Sequence, residues 1–175
     1  MSERPEFIKH WREIQQADDA RYPGSKELLS IGSNFGKAFG MQRVGFNHEV
    51  LPPGRRTSWP HAERDEEEFV FVIEGAPDVW IDGVLYRLQP GDAVGFPAGT
   101  GVAHTFINNT QDIVRLLVGG ERNRPGSQCH YPLHPKRNAA IEGWHWQDAP
   151  TLLKGNHDGL SDALRAHPLD PADSA

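Results

Sequence analysis

Two stretches of the sequence decide its fold: residues 60–75 read PHAERDEEEFVFVIEG, and residues 91–108 read GDAVGFPAGTGVAHTFIN. In the first, His61 and Glu63 are two residues apart, so on a strand their side chains point to the same face. Glu68 begins the apolar run that follows them. A carboxylate at the head of a buried strand is costly unless it is paired or binds a cation. The sequence therefore predicts buried strands that carry polar groups into a shared interior.

We interpret these polar residues as the ligands of a metal site. Imidazole nitrogens and carboxylate oxygens that converge from several strands suit Fe, Mn, Ni, Zn or Co. The predicted metal ligands are His61, Glu63, Glu68 and His104. Glu63 has an alternative as a solvated acid beside Arg64, which would leave a triad of two histidines and one carboxylate. An unliganded Glu63 could then serve as the general base.

Short β-rich runs recur between residues 42 and 120, each closed by Gly, Pro, Asp or Asn. Short strands at intervals of about eight to twelve residues predict an all-β sandwich or barrel. The seven predicted strands cover residues 44–51, 69–73, 78–82, 84–88, 93–96, 103–108 and 113–118. Asp82-Gly83 predicts a two-residue hairpin, because both turn positions tolerate positive φ.

The chain of 175 residues is long enough for one domain with a core and too short for two comfortable ones. Residues 1–40 are predicted to form an N-terminal arm that packs on the main body. Residues 41–120 are predicted to be the barrel core. Residues 121–175 are predicted to be a C-terminal extension packing on the barrel, with a short helix over 160–166 and a polar, mobile end.

Within the predicted arm, apolar side chains recur at near-helical spacing at Phe7, Trp11 and Ile14. This spacing predicts a short amphipathic helix. Three glycines between residues 32 and 40 predict that the following stretch is irregular.

Composition narrows the function classes. The formal net charge is -6 and Lys and Arg are not clustered, so a nucleic-acid partner is not expected. No run has the length of a membrane span or of a signal-peptide core, so no membrane partner is expected either. The single cysteine, Cys129, cannot form an internal disulfide and fits a reducing compartment. The expected location is the cytoplasm.

The first stretch resembles the first motif of the cupin superfamily, in which a glycine precedes two histidines, a glutamate and a second glycine. The spacing from Glu68 to Gly75 matches that motif without adjustment. There are two departures: Glu63 stands where the motif has its second histidine, and one extra residue separates Gly54 from His61.

The second stretch resembles the second cupin motif, which runs from a glycine through a proline and a glycine to a histidine and an asparagine. The spacing from Gly91 to Pro97 matches, and the motif ends on His104 and Asn108. Two extra residues precede His104.

The resemblance implies a cupin-type double-stranded β-helix, a jelly-roll barrel, with N- and C-terminal arms. It also implies self-association, as a homodimer. For activity it implies less, because cupins include dioxygenases, decarboxylases, isomerases, epimerases, lyases, binding proteins and storage proteins.

We expect a metal-dependent enzyme that acts on a small polar molecule, foremost a dioxygenase-type oxidoreductase. The reason is that a His/carboxylate set leaves coordination positions open on the metal. The alternatives are an isomerase or lyase acting on a sugar or small acid, and a non-catalytic cupin that binds a small ligand.

Overall fold

The computed structural model describes residues 4–169, in which the backbone is mostly β-strand with a few short helices. The strands are β1 (Ile31–Asn34), β2 (Val44–Leu51), β3 (Ala62–Glu63), β4 (Glu68–Glu74), β5 (Asp78–Ile81), β6 (Val84–Arg87), β7 (Ala93–Phe96), β8 (His104–Ile107), β9 (Val114–Glu121) and β10 (Cys129–His130). The α-helices are α1 (Phe35–Ala38), α2 (Pro135–Ala140) and α3 (Asp162–Ala166), and Trp11–Glu13 form a 3-10 turn. The predicted all-β fold class is confirmed.

Two antiparallel sheets enclose the main core. Their strand orders are β1-β2-β9-β4-β7 and β6-β5-β8, while β3 and β10 form a separate two-stranded ribbon. Val70 and Val72 of β4 share one buried cluster with Val79 of β5 and Phe106 of β8. Each such buried side chain contributes about 1.5–3 kcal/mol relative to an exposed one, so this shared core holds the two sheets together as a barrel.

Two predicted strands, 44–51 and 93–96, have the bounds of β2 and β7, and the other five overlap β4, β5, β6, β8 and β9. The predicted hairpin between β5 and β6 is confirmed, with φ angles of 47° at Asp82 and 90° at Gly83. This hairpin packs closely on the C-terminal segment. A Cβ added to Gly83 would clash with the carbonyl oxygen of Gly155.

The predicted N-terminal amphipathic helix is wrong. Its place is taken by the single turn Trp11–Glu13, and Phe7 is exposed. The reason lies in tertiary pairing, because Gln15 forms an antiparallel bridge with Ser33 of β1 and draws the chain into an extended path.

The prediction of an irregular stretch over residues 32–40 is also wrong, since β1 and α1 occupy most of it. β1 pairs along its whole length with β2, which outweighs the low strand preference of Gly32. The side chain of Asn34 then accepts a hydrogen bond from the backbone N–H of Lys37 and caps α1.

The described part of the chain after β9 packs on the outer face of the sheet β6-β5-β8. Trp146 and Leu133 join Trp80 and Ile107 in a second buried cluster. The predicted helix over 160–166 overlaps α3, whereas the predicted mobile end falls mainly on residues 170–175, which lie outside the described residues. None of the helices between residues 4 and 169 has the length and apolar character needed to cross a membrane.

A buried ion pair anchors the segment between β2 and β3. Arg56 is 1% exposed, and its Nε and Nη2 donate to the two carboxylate oxygens of Glu27 at 2.6 and 2.8 Å. Trp59 Nε1 donates to the same carboxylate at 2.9 Å, and Arg56 Nη1 donates to the carbonyl oxygen of Gly159 at 2.8 Å. This network fixes the segment that leads directly into His61.

Candidate metal centre

Three of the four predicted ligands converge in the barrel. One ligand atom from each of His61, Glu68 and His104 lies within 4.8 Å of the other two. They come from different segments, because His61 precedes β3, Glu68 begins β4 and His104 begins β8. An antiparallel bridge pairs His61 with His104, and their ring centroids are 5.1 Å apart.

Backbone carbonyl groups orient both imidazole rings. His61 Nδ1 lies 2.9 Å from the carbonyl oxygen of Trp59, and His104 Nδ1 lies 3.3 Å from that of Val102. These contacts assign the proton of each neutral ring to Nδ1 and leave the Nε2 lone pair available. Metal-binding histidines in proteins are commonly oriented in this way.

The contact between His104 and Glu68 fits a bound cation. His104 Nε2 and Glu68 Oε1 are 3.3 Å apart, so a lone pair faces a carboxylate unless a proton or a metal ion lies between them. Burial acts to raise the pKa of Glu68, but when the two histidines are protonated, the hydrogen bond from His104 and the charges of both rings outweigh burial and lower the pKa. The donor set therefore fits a divalent transition metal.

An aromatic ring stacks on each of the two histidines. The ring of Phe96 stacks on His104 with a centroid distance of 3.5 Å, and Tyr131 stacks on His61 at 5.7 Å. Burial lowers the pKa of His61, and a proton on His104 would lower it further. Neutral imidazole is the form that binds metals, so this environment favours ligation.

Glu63 lies beside the cluster, and the convergent set found among residues 4–169 does not include it. Its Oε1 is 3.7 Å from His61 Nε2, and its backbone pairs with Cys129 of β10. Burial, with the negative charges of Glu66 and Glu68 added, raises the pKa of Glu63 to about 8. A carboxyl group in this position can hold a proton near neutral pH at the edge of the metal centre.

Sequence reasoning missed two further carboxylates near the cluster. Glu66 lines the same cavity as Glu68, and its Oε1 is buried with no hydrogen-bond partner. Glu49 pairs with the core residue Leu116, and its carboxylate accepts a hydrogen bond from Ser30 Oγ at 2.6 Å. Burial raises the pKa of Glu49 to about 7, and the charge of Glu68 adds to the effect.

The alternation of inward- and outward-facing side chains along β2 could have identified Glu49 as a residue of the barrel interior. Phe46 and His48 share the outer face, where the Trp11 ring stacks on His48 at 4.4 Å. Their neighbours Asn47 and Glu49 therefore face the barrel interior.

The space against the cluster is small. It is too small to admit a water molecule and is lined by Glu63, Glu66, Glu68, Phe96, Pro97, Thr100, Val102 and His104. A groove of about 450 Å³ adjoins it and shares Glu68, Phe96 and Pro97. Ligand pockets typically measure about 300–1,000 Å³, so this groove, unlike the space against the cluster, has the size of a ligand site.

Comparisons with known proteins agree with the barrel and its motifs. Residues 47–120 match the family model of the cupin domain. A sugar phosphate isomerase of a cupin superfamily from Silicibacter pomeroyi is 34% identical, with a TM-score of 0.56, over 58% of this chain and 64% of that one. A candidate sugar phosphate isomerase from Acidithiobacillus ferrooxidans is 26% identical, with a TM-score of 0.63, over 73% of this chain and 81% of that one.

Among curated proteins, quercetin 2,3-dioxygenase from Bacillus subtilis (strain 168) is 24% identical over 108 residues. These residues are 61% of this chain but only 31% of the dioxygenase, so the match spans about a third of that protein's length. The fold and the paired motifs define a β-barrel of the jelly-roll class. Over residues 47–120 the chain matches the cupin domain, and its barrel resembles the two structures named as sugar phosphate isomerases.

Proposed function

We propose that the protein is a metal-dependent cupin enzyme in which His61, Glu68 and His104 bind Fe, Mn, Ni or Zn. The observation that carries the proposal is the convergence of their ligand atoms within 4.8 Å, with both Nδ1 atoms directed to backbone carbonyls. When bound, the metal would supply open coordination positions for oxygen atoms of a small substrate or for O2.

Dioxygenase-type oxidation is the reaction that we favour. Two histidines and one carboxylate with open positions are typical of non-haem iron oxygenases. The similarity to quercetin 2,3-dioxygenase supports this choice. Glu63 is the proposed proton-transfer group, because its carboxyl lies 3.7 Å from His61 Nε2 at the edge of the cluster.

The test loads the purified protein with each metal in turn and measures O2 consumption with small phenols, acids and sugars. We expect consumption with at least one substrate and metal, and a loss of about 100-fold in kcat for Glu63→Gln, the lower end of general acid–base effects. Metal content should be unchanged in this variant. The matched control is Glu142→Gln, which removes an exposed carboxylate outside the site. An unchanged kcat in Glu63→Gln would remove Glu63 from the mechanism.

Isomerase or lyase chemistry on a sugar or small acid is the second candidate. Its support is the similarity to two structures named as sugar phosphate isomerases, together with the carboxyl of Glu63 beside the cluster. Product formation without O2 uptake would select it over oxidation. A metal-loaded protein that binds small ligands but converts none would leave the non-catalytic binding role.

We also propose a homodimer, located in the cytoplasm, where a free thiol such as Cys129 persists. Alternate residues on the outer face of β4 are large, apolar and exposed: Phe69 is 46%, Phe71 39% and Ile73 44% exposed. Contiguous apolar surface of this kind commonly marks a protein interface.

Size-exclusion chromatography with light scattering tests the dimer. We expect twice the chain mass of 19.5 kDa for the wild type and the single-chain mass for Phe71→Glu. Tyr86→Glu, at an exposed site on the other sheet, should remain a dimer. A wild-type protein of single-chain mass would end this proposal.

A further inference from the structure

The imidazole of His61 is covered on one face by a tyrosine from the C-terminal extension. The ring of Tyr131 stacks on it with centroids 5.7 Å apart and planes inclined by 29°, and Tyr131 is only 7% exposed. The hydrogen bond between His61 Nδ1 and the Trp59 carbonyl oxygen does not by itself set the plane of the imidazole, because the χ2 torsion of histidine has a broad range. The stacked tyrosine ring restricts that torsion.

The side chain of Asn138 on α2 holds the backbone of Tyr131 in place. The Tyr131 N–H donates to Asn138 Oδ1 at 2.9 Å, and Asn138 Nδ2 donates to the Tyr131 carbonyl oxygen at 3.0 Å. Asn138 is 9% exposed, so water has little access to these two hydrogen bonds. One buried side chain therefore binds both backbone polar groups of Tyr131, and the position of its ring follows from that anchor.

Two further rings lead from Tyr131 back to His61 and close a loop of contacts. Tyr131 and Tyr22 pack edge to face, with centroids 5.9 Å apart and planes at 89°. Tyr22 stacks on Trp59 at 4.1 Å, and its hydroxyl oxygen accepts a hydrogen bond from the Trp59 N–H at 3.3 Å. Both arrangements are favoured geometries of aromatic pairs. Because the Trp59 carbonyl is the group that contacts His61 Nδ1, a tilt of the imidazole would disturb contacts on both sides of the loop.

The two histidines of the candidate centre obtain their stacking rings from different parts of the chain. His104 is stacked by Phe96, which lies on β7 inside residues 47–120, the segment that matches the cupin domain. Tyr131 lies after that segment, and Tyr22, which packs on it, lies before it. The orientation of His61 therefore depends on side chains that neither motif contains.

We propose that Tyr131 is a positioning residue, whose ring sets the plane of the His61 imidazole and directs its Nε2 lone pair towards the metal. The inference rests on the proposed function, because it gives Tyr131 a role only through His61 as a ligand. Tyr22 and Asn138 fix Tyr131 and so act through it. Residues before and after the barrel core thereby contribute to the geometry of the metal centre.

Zn²⁺ affinity, measured by competition with a chromophoric chelator, tests the proposal in two variants. Tyr131→Leu keeps an apolar side chain and removes the planar ring, so the affinity should fall by about 10–100-fold, as it does for residues that orient a metal ligand. Tyr131→Phe keeps the ring, so its affinity should stay within about threefold of the wild type. This rescue by phenylalanine separates the ring from the hydroxyl group.

The visible absorption of the Co²⁺-loaded protein provides a readout that a loss of stability alone does not move. Its bands depend on the number and direction of the ligands, so at saturating Co²⁺ they should shift in Tyr131→Leu and match the wild type in Tyr131→Phe. The control is Phe46→Ala, which removes a ring stack of similar distance, 5.4 Å between Phe46 and Phe35, on the outer face of β2. It should keep the wild-type spectrum and Zn²⁺ affinity.

Circular dichroism checks that each variant is folded. If Tyr131→Leu does not fold, Asn138→Ala decides the question, because it keeps every ring and removes both hydrogen bonds to Tyr131, and it should shift the Co²⁺ bands in the same direction. Wild-type affinity and spectrum in folded Tyr131→Leu, or in Asn138→Ala where Tyr131→Leu is unfolded, overturn the role of Tyr131. So does an equal loss of affinity in Tyr131→Phe and Tyr131→Leu. Zn²⁺ binding by the wild type in those cases leaves the proposed function standing, whereas a wild type that binds no Zn²⁺ overturns both.

Discussion

Replacing His104 by alanine abolishes metal binding, which is the largest effect that we expect at the site. His104 is 2% exposed and contacts Glu68, so its loss removes a ligand and leaves a half-buried carboxylate without its partner. Since changes to residues that merely orient a metal ligand already cost about 10–100-fold in affinity, loss of a ligand should cost more than about 100-fold. The measurement is metal content per chain after loading and desalting.

His130→Ala is the matched control, because His130 lies on β10 and its Nδ1 contacts His145 at 3.2 Å, outside the cluster. It should retain metal like the wild type. Circular dichroism of both variants checks that the barrel is folded. Wild-type metal content in both His104→Ala and His61→Ala would refute the metal assignment.

Glu27→Gln is expected to destabilise the fold by about 3–5 kcal/mol, because it leaves the charge of Arg56 buried and incompletely paired. Glu27 is 7% exposed and also accepts the hydrogen bond from Trp59 Nε1. Since the carbonyl of Trp59 orients His61, metal affinity should fall as well. Urea unfolding followed by circular dichroism gives the free energy of unfolding, and metal titration gives the affinity.

The neighbouring pair of Arg55 and Asp18 provides the control for this prediction. Asp18 has a side chain that is 48% exposed, and its carboxylate contacts Arg55 Nη2 at 3.1 Å. Exposed ion pairs contribute little, so Asp18→Asn should cost less than about 1 kcal/mol. Similar losses in the two variants would mean that burial does not govern the energetics of this segment.

The barrel strands were predictable because alternation and turn residues are local signals. β2 and β7 have the predicted bounds, and the positive φ of Asp82 follows from the residue pair at the hairpin. β1 could not be predicted, since its stability comes from pairing with β2 rather than from its own residues. The prediction of an N-terminal helix failed for a similar reason. The Trp11 ring packs on His48 of β2 instead of on a neighbour in the same helix.

The candidate site was predictable as a set of residue types, but its geometry was not. Motif spacing selects His61, Glu68 and His104, and the fold brings them together. The position of Glu63 depends on the pairing of β3 with β10, from a segment some sixty residues further along the chain that carries no spacing signal. Glu66 stood in a run of acids that looks like a solvated surface, but its side chain is half-buried against the cluster, whereas Glu67 is exposed.

The ribbon of β3 and β10 joins a strand inside the matched cupin segment to a strand outside it. The residues proposed to hold the metal lie inside the matched cupin segment, whereas the strand of Glu63 is braced by Cys129, outside it. Insertions or exchanges in the tail can therefore shift the acid beside the centre while the ligands stay unaltered. Changes in β10 would then alter proton transfer beside the proposed metal centre, whereas changes in the two motifs would alter metal binding itself.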